Sequence, residues 1–138
     1  TIPHKAAVLP LLQRVDRLGQ VAQAVNAVRR NADGTLEGGL FDGIGFVNSL
    51  AAWGVPVAGR RALVVGVGGA GMAIATSLAE RGVGHLALFD RDPSRVPPIA
   101  GRLRAGRQAD VAWDVKLTAT SVALFGPLFV TDKMNVTG

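Results

Sequence analysis

The residues that could do chemistry here are a glycine turn, an acid beyond it, and a lysine with polar partners ahead of it. "VVGVGGAGMA" holds the spacing Gly66-x-Gly68-x-x-Gly71. The first glycine of such a run permits a tight turn. The second lets the backbone approach a pyrophosphate, and the third lets helix and strand pack closely. Backbone N–H groups of Gly66, Val67, Gly68, Gly69, Ala70 and Gly71 would then face phosphates at a helix N-terminus. Asp90 follows Gly66 by 24 residues, close to the ~20 expected of an acid that binds a ribose hydroxyl. The competing reading is structural glycines alone. FAD and S-adenosylmethionine stay open from this motif by itself. No Gly-Lys-Ser/Thr follows the turn, which argues against a P-loop.

The acids bear on the choice of dinucleotide. A carboxylate at a strand end accepts hydrogen bonds from the adenosine ribose and repels a 2′-phosphate. "FDRDPSR" offers two, Asp90 and Asp92, so NAD is expected over NADP. Arg91 and Arg95 could instead hold a 2′-phosphate or stack on adenine. As a structural residue, Arg95 is a solvated charge at a helix start.

Ahead of the turn, Lys5 in "TIPHKAAVL" could cycle a proton if burial tuned it. Taken alone it is a charge at a helix start, and His4 an exposed histidine. Asn26 lies in an apolar run, where an amide needs a partner. Asp42 precedes a predicted helix and could be its N-cap.

The elements that must position these groups are legible in outline. Pro3 suits a helix start, and Leu9, Leu12, Val15 and Leu18 recur at helical spacing, with Pro10 as a kink. Asp33-Gly34 marks a hairpin between two short strands. "DGIGFVNSLAAWG" predicts a helix with Ile44, Val47, Leu50 and Ala51 on one face and Gly54 as its stop; "VPVAG" is a linker. "RRALVVG" reads as a buried strand, "GGAGMAIATSLAERG" as a turn and helix ending at Gly82, and "HLALFDRD" as a second strand. The connection after it is expected to break at Pro97-Pro98. "DVKLTATSVAL" and "LFVTDKM" are further strand-like runs. Strand–helix–strand around a glycine turn predicts an α/β fold with a Rossmann-type, doubly wound parallel sheet.

Composition narrows the partners. The 138 residues are 49% hydrophobic and 18% charged, with 18 glycines and no cysteine. This is a globular composition that excludes disulfides and Cys-based metal sites and points to a reducing, cytoplasmic setting. No metal site is expected. The net charge is +5, but the arginines are scattered and Tyr is absent, so no nucleic-acid partner is expected. The uncharged run from Ala62 to Ala79 has the length of a membrane span. Its central glycines make it a strand, turn and helix instead. No signal peptide is visible, and the Asn135-Val136-Thr137 sequon reads as chance.

"TIPHK", "AVNAV" at Asn26, "DGIGF" at Asp42 and "GVGGAG" at Gly66, in that order and spacing, resemble the shikimate/quinate dehydrogenase family. That family's pattern reads N-V-T-x-P-x-K, A-V-N-T, N-T-D-G-x-G-F and G-A-G-G-A. "TATSVAL" is similar to its N-A-T-S-x-G-M, and "VTDKMNVTG" to its D-x-x-Y-x-P. The resemblance implies reversible NAD(P)-linked oxidation of a ring hydroxyl of shikimate, quinate or a related cyclic hydroxy acid to a ketone. By carry-over Lys5 is the general acid/base, and Asp42 pairs with it and bonds the same hydroxyl. Asn26 and Thr1 bind substrate, and Thr120 and Ser121 join the cofactor set. "DRDPSR" stands where NADP-using members show N-R-T, and its D-x-D resembles NAD-using members. The family also admits a homodimer, and no membrane partner is implied.

Residues 1–42 then form the remnant of a substrate-binding α/β domain, 43–58 a connecting helix and linker, and 59–138 an incomplete dinucleotide domain. Leu40-Phe41 replaces the N-T before the aspartate, Thr118 the Asn of N-A-T-S, and Asn135 a substrate-contacting Tyr. Relative to the family, a segment ahead of Thr1 and a C-terminal helical part are missing, and the stretch from Ser121 to Val130 is short. Two other readings stand beside the enzyme. One is a non-catalytic dinucleotide- or metabolite-binding regulator on the same fold. The other is an oxidoreductase of another small substrate such as a folate.

Overall fold

The computed structural model describes residues 3–105. Readings that fall on Thr1, Thr118, Thr120, Ser121, Asn135 and the two strand-like runs from Asp114 and Leu128 lie outside the described residues.

The first forty residues build a small mixed sheet. Strand β1 (Arg14–Val15) runs parallel to β3 (Leu36–Gly39), which pairs antiparallel with β2 (Ala27–Arg30), giving the order β1-β3-β2. The β2–β3 hairpin forms where Asp33-Gly34 predicts it. Gly34 takes φ +83°, a conformation that carries little penalty only without a Cβ. Asp33 Oδ1 accepts from the Thr35 N–H at 3.0 Å and from its hydroxyl at 2.6 Å. Helix α1 (Arg17–Ala22) starts at Asp16, whose side chain accepts from the Gly19 N–H.

The helix expected from Leu9 to Leu18 is not there. Residues 3–8 form turns, Leu9–Leu11 a single 3-10 turn with Pro10 in it, and the chain then extends into β1. Proline removes the amide that a continuing α-helix would need. Leu12 instead lies over Gly38, where a Cβ would collide with Leu12 Cδ1. The i, i+3 pattern arises because the 3-10 turn (Leu9), the residue after it (Leu12), β1 (Val15) and α1 (Leu18) each carry one half-buried apolar side chain.

Helix α2 (Asp42–Ala52) ends before Gly54, which takes φ +74°. Its buried face is Gly43, Val47 and Leu50. Ile44 is half-buried, and Ala51, placed on this face by periodicity, is exposed. The face is rotated toward Gly43 because α2 crosses α3 (Gly69–Glu80) there: a Cβ on Gly43 would overlap the Ala73 carbonyl oxygen.

Strand β4 (Arg61–Val65), α3 and β5 (His85–Phe89) form the expected strand–turn–helix–strand unit, with β4 and β5 parallel from Arg61↔His85 to Val65↔Phe89. The run from Ala62 to Ala79 is thus part strand, part helix. No helix among the described residues is long and apolar enough to cross a membrane. Helix α4 (Val96–Ala105) contains Pro97 and Pro98. They do not break it, because both fall in its first turn, where no amide is needed within the helix. The fold is α/β, with a parallel pair and glycine turn of the Rossmann type. One apolar cluster joins the two sheets: Ala22 and Leu40 belong to the same core as Val64, Leu86, Ile99 and Leu103.

Candidate active site

The glycine turn is built as its spacing requires. Gly66 takes φ +87°. A Cβ on Gly71 would overlap the Gly66 carbonyl oxygen, so α3 packs directly on the end of β4. Gly68 is the N-cap of α3 and makes no side-chain cap bond, and a Cβ on Gly68 would meet nothing within 4 Å. The first-turn amides of α3 therefore open toward free space. Exposed helix amides favour an anion, and the absent Cβ atoms leave room for a pyrophosphate against the backbone. The residues present fit a dinucleotide.

Asp90 follows β5, as expected, but its carboxylate is directed at the protein. Oδ2 accepts from the Val67 N–H at 2.7 Å and Oδ1 from the Asp92 N–H at 3.0 Å. These two amides, with Arg95 and Arg91 nearby, hold the Asp90 carboxyl below the usual aspartate range, against the opposite pull of partial burial. Arg95 approaches Asp90 Oδ2 at 3.7 Å and is half exposed. Asp92 accepts from the Ser94 N–H at 3.1 Å and its hydroxyl at 2.6 Å, starting the 3-10 turn Pro93–Arg95. Arg91 is exposed. Four charged side chains, Asp90, Arg91, Asp92 and Arg95, therefore lie at the end of β5, beside the turn.

Lys5 is not the exposed charge of its simplest reading. Its side chain is 10% exposed, and its ammonium donates to Asp42 Oδ2. Asp42 begins α2 but does not cap it. Its other oxygen, Oδ1, accepts from Asn26 Nδ2. Asn26 Oδ1 in turn accepts from the Phe41 N–H at 2.9 Å, which fixes the amide's orientation. Backbone bonds hold the frame: Val25 N–H to the Lys5 carbonyl at 2.9 Å, and Asn26 N–H to the Gly39 carbonyl at 3.0 Å. Lys5, Asn26 and Asp42, 37 residues apart at the extremes, thus form one polar constellation. His4 is exposed.

This constellation meets the glycine turn. A cleft of about 510 Å³ is lined by Pro3, Lys5, the end of β4, Gly66 and the residues from Gly68 to Gly71, and Ile74. A Cβ on Gly69 would lie 3.0 Å from Lys5 Cδ, so the lysine stem rests on the first residue of α3. Of the replaced N-T pair, Leu40 is buried in the core and Phe41 is 55% exposed, its ring lying over Gly39. Sequence reasoning missed Asp16, which bonds the backbone leading into Asp42. Its only signal was an acid directly after a β-branched residue and just before a short helical pattern. Among the described residues, no three His, Cys, Asp or Glu side chains gather as a metal group.

No protein-family profile matches the chain. Curated relatives do. The shikimate dehydrogenase (NADP(+)) of Moorella thermoacetica is 43% identical over 114 residues, covering 82% of this chain and 38% of the relative. That of Geobacter metallireducens is 45% identical over 141 residues, covering 99% and 49%. The chain therefore spans less than half the length of these relatives. Among solved structures, 5-ketofructose reductase of Gluconobacter sp. strain CHM43 is similar at a TM-score of 0.71 and 34% identity, over 85% of this chain and 42% of that one. Shikimate 5-dehydrogenase from Thermus thermophilus, in complex with NADP(H) and shikimate, matches at 0.67 and 38%, over 75% and 39%. Quinate dehydrogenase from Corynebacterium glutamicum, in complex with NAD, matches at 0.67 and 37%, over 77% and 38%.

Proposed function

We propose, for a chain that belongs to the shikimate/quinate dehydrogenase family over the stretch it spans, the reversible NAD(P)-linked oxidation of a cyclic hydroxy acid, shikimate or quinate, to its 3-dehydro ketone. The observation that carries this reading is Lys5, which lines the cleft formed by the glycine turn and is paired there with Asp42 behind it. Bound there, the nicotinamide would accept or return a hydride. The chain's own contribution is binding and proton handling. The turn and the open amides of α3 hold a pyrophosphate.

As the hydroxyl carbon gives up hydride, the hydroxyl oxygen gives up a proton, and Lys5 receives it at Nζ as the neutral amine, becoming the ammonium. In the reverse direction the Lys5 ammonium donates. Asp42 holds the amine in place and accepts from the same hydroxyl, while Asn26 keeps the carboxylate oriented and reaches toward a second hydroxyl. Thr1 is assigned to substrate, and Thr120 and Ser121 to cofactor, from the motif resemblance alone. We assign residues 1–42 to the substrate-binding domain, 43–58 to the connection and 59–138 to the nucleotide domain on the same ground.

Within NAD(P), the acids at the end of β5 favour NAD. A 2′-phosphate placed beside Asp90 and Asp92 would meet two carboxylates, one of them held ionised by its amide bonds. Arg91 and Arg95 stand close enough to offset part of that repulsion, and both named relatives above carry NADP(+) in their names.

The test is reduction of NAD and of NADP by the full-length protein with shikimate and with quinate. Turnover with at least one acid, abolished by Lys5→Ala, is expected. Absence of turnover with both would overturn the reading in favour of a regulator that binds dinucleotide without catalysis. Asp92→Thr should raise kcat/KM for NADP relative to NAD, and an unchanged ratio would remove Asp92 as a determinant.

A further inference from the structure

We infer that Asp16 is a positioning residue for the Lys5–Asp42 pair; the role rests on the active-site reading above. Asp16 does not line the cleft. It is a bond centre between three elements. Its N–H donates to the Gly38 carbonyl at 3.0 Å, and its carbonyl accepts from the Gln20 N–H at 2.9 Å. Its carboxylate is divided. Oδ1 accepts from the Gly19 N–H at 2.6 Å, which caps α1, and Oδ2 accepts from the Leu40 N–H at 3.0 Å.

Leu40 is the first residue beyond β3 and lies two before Asp42. The next amide, Phe41, is the one that fixes Asn26, and Asn26 holds Asp42. Two consecutive backbone amides are thus tied to two side chains, and the peptide that delivers Asp42 is fixed at both. The main chain leaves room for this. A Cβ on Gly19 would lie 2.8 Å from Asp16 Oδ1, and one on Gly39 3.3 Å from Oδ2. A simple N-cap needs only one acceptor oxygen, which Ser supplies. The second oxygen of Asp16 serves the approach to Asp42.

The experiment reads Lys5 directly, so it does not depend on knowing the substrate. Full-length wild type, Asp42→Asn, Asp16→Ser and Asp16→Asn are treated with an amine-acylating reagent. Modification of Lys5 is followed by mass spectrometry against the chain's other two lysines. Lys5 Nζ is engaged by the Asp42 carboxylate, so Asp42→Asn, which loses that charge-assisted bond, should speed Lys5 acylation about tenfold. Asp16→Ser keeps the α1 cap but is too short to reach Leu40. It should speed Lys5 about three- to tenfold with the other lysines unchanged, because a charge-assisted bond is lost. Asp16→Asn turns an amide N–H toward one of the two donors and should act the same way, which keeps the test valid if the serine variant folds poorly.

Wild-type rates at Lys5 in both Asp16 variants, alongside an accelerated Asp42→Asn, would overturn the inference. So would equal acceleration of all three lysines, which is general loosening, or an Asp42→Asn that leaves Lys5 unchanged. In assays of turnover, the Asp16 variants should lose kcat with dinucleotide Kd unchanged. A wild type that turns over neither acid while Lys5 responds as stated would sink the proposed activity and leave the role of Asp16 standing.

Discussion

At the scale of single residues, the site depends on which partner each charge finds. Lys5 is one of three lysines and nothing in its immediate neighbours sets it apart. It becomes a site residue because Asp42 and Asn26 arrive beside it. Lys5→Ala is expected to lower kcat by about 10²–10⁴, the usual share of a positioned acid/base, with NAD(P) Kd by titration changed less than about twofold, since the phosphates are held by amides. Asp90 carries the pH dependence. Its carboxyl is held below the ordinary value by the Asp92 and Val67 amides. The stabilisation of the turn is therefore fully present above the unfolded aspartate value of about 4 and is lost as pH falls through the lower folded value. Dinucleotide binding measured between pH 3 and 7 should be flat above roughly pH 4.5 and weaken below it. Asp90→Asn should bind more weakly at every pH and lose most of that dependence. The glycine spacing and the acid beyond it were legible because the motif encodes backbone geometry that few sequences satisfy. That Asp90 serves the turn itself was not legible, because two of its partners are backbone amides with no sequence signature.

At the scale of elements, close approach between helices decides what the sequence tolerates. Gly43 is read most simply as part of a polar motif after Asp42. In the fold it is the contact point of α2 with α3, against the Ala73 carbonyl. Gly43→Ala must push the two helices apart. A loss of about 2–4 kcal/mol, in the range of overpacked sites, is expected in urea unfolding, with kcat falling too because Asp42 is the adjacent residue. Gly54→Ala, at an exposed helix stop with φ +74° and open space around it, should cost only about 1 kcal/mol and leave kcat alone. The β4–α3–β5 unit and the hairpin were readable because each obeys a single local rule. The stretch from Leu9 to Leu18 was not, since three short elements happened to share one period. Pro97-Pro98 misled for a related reason: a proline pair breaks a helix interior but is accommodated in a first turn, and the sequence does not mark where the turn begins.

At the scale of the whole molecule, the two sheets are parts of one body. Ala22 of α1 and Leu40 share a core with Leu86 of β5 and Leu103 of α4. Two polar ties cross the same seam: Arg17 Nη1 meets Glu80 Oε1 at 3.0 Å, and Arg102 Nε donates to the Val21 carbonyl at 3.0 Å. The Arg17–Glu80 pair is largely exposed and should contribute less than about 1 kcal/mol; the apolar contact holds the seam more strongly. A saturating dinucleotide at 100 times its Kd should therefore stabilise the entire body by about 2.7 kcal/mol, visible as one cooperative rise in Tm and as protection of Lys5 from acylation. A second, unshifted transition would show the sheets unfolding separately. The segment 53–60 that joins α2 to β4 is mostly exposed, yet it is not where the molecule divides. A protease that cuts there would release nothing: the pieces would travel together on a sizing column and part only in denaturant. The same geometry limits recombination. Grafting the part ahead of the linker onto another nucleotide-binding half transfers a lysine and an aspartate but not the apolar surface that registers them, and such a hybrid would inherit the motif without its alignment.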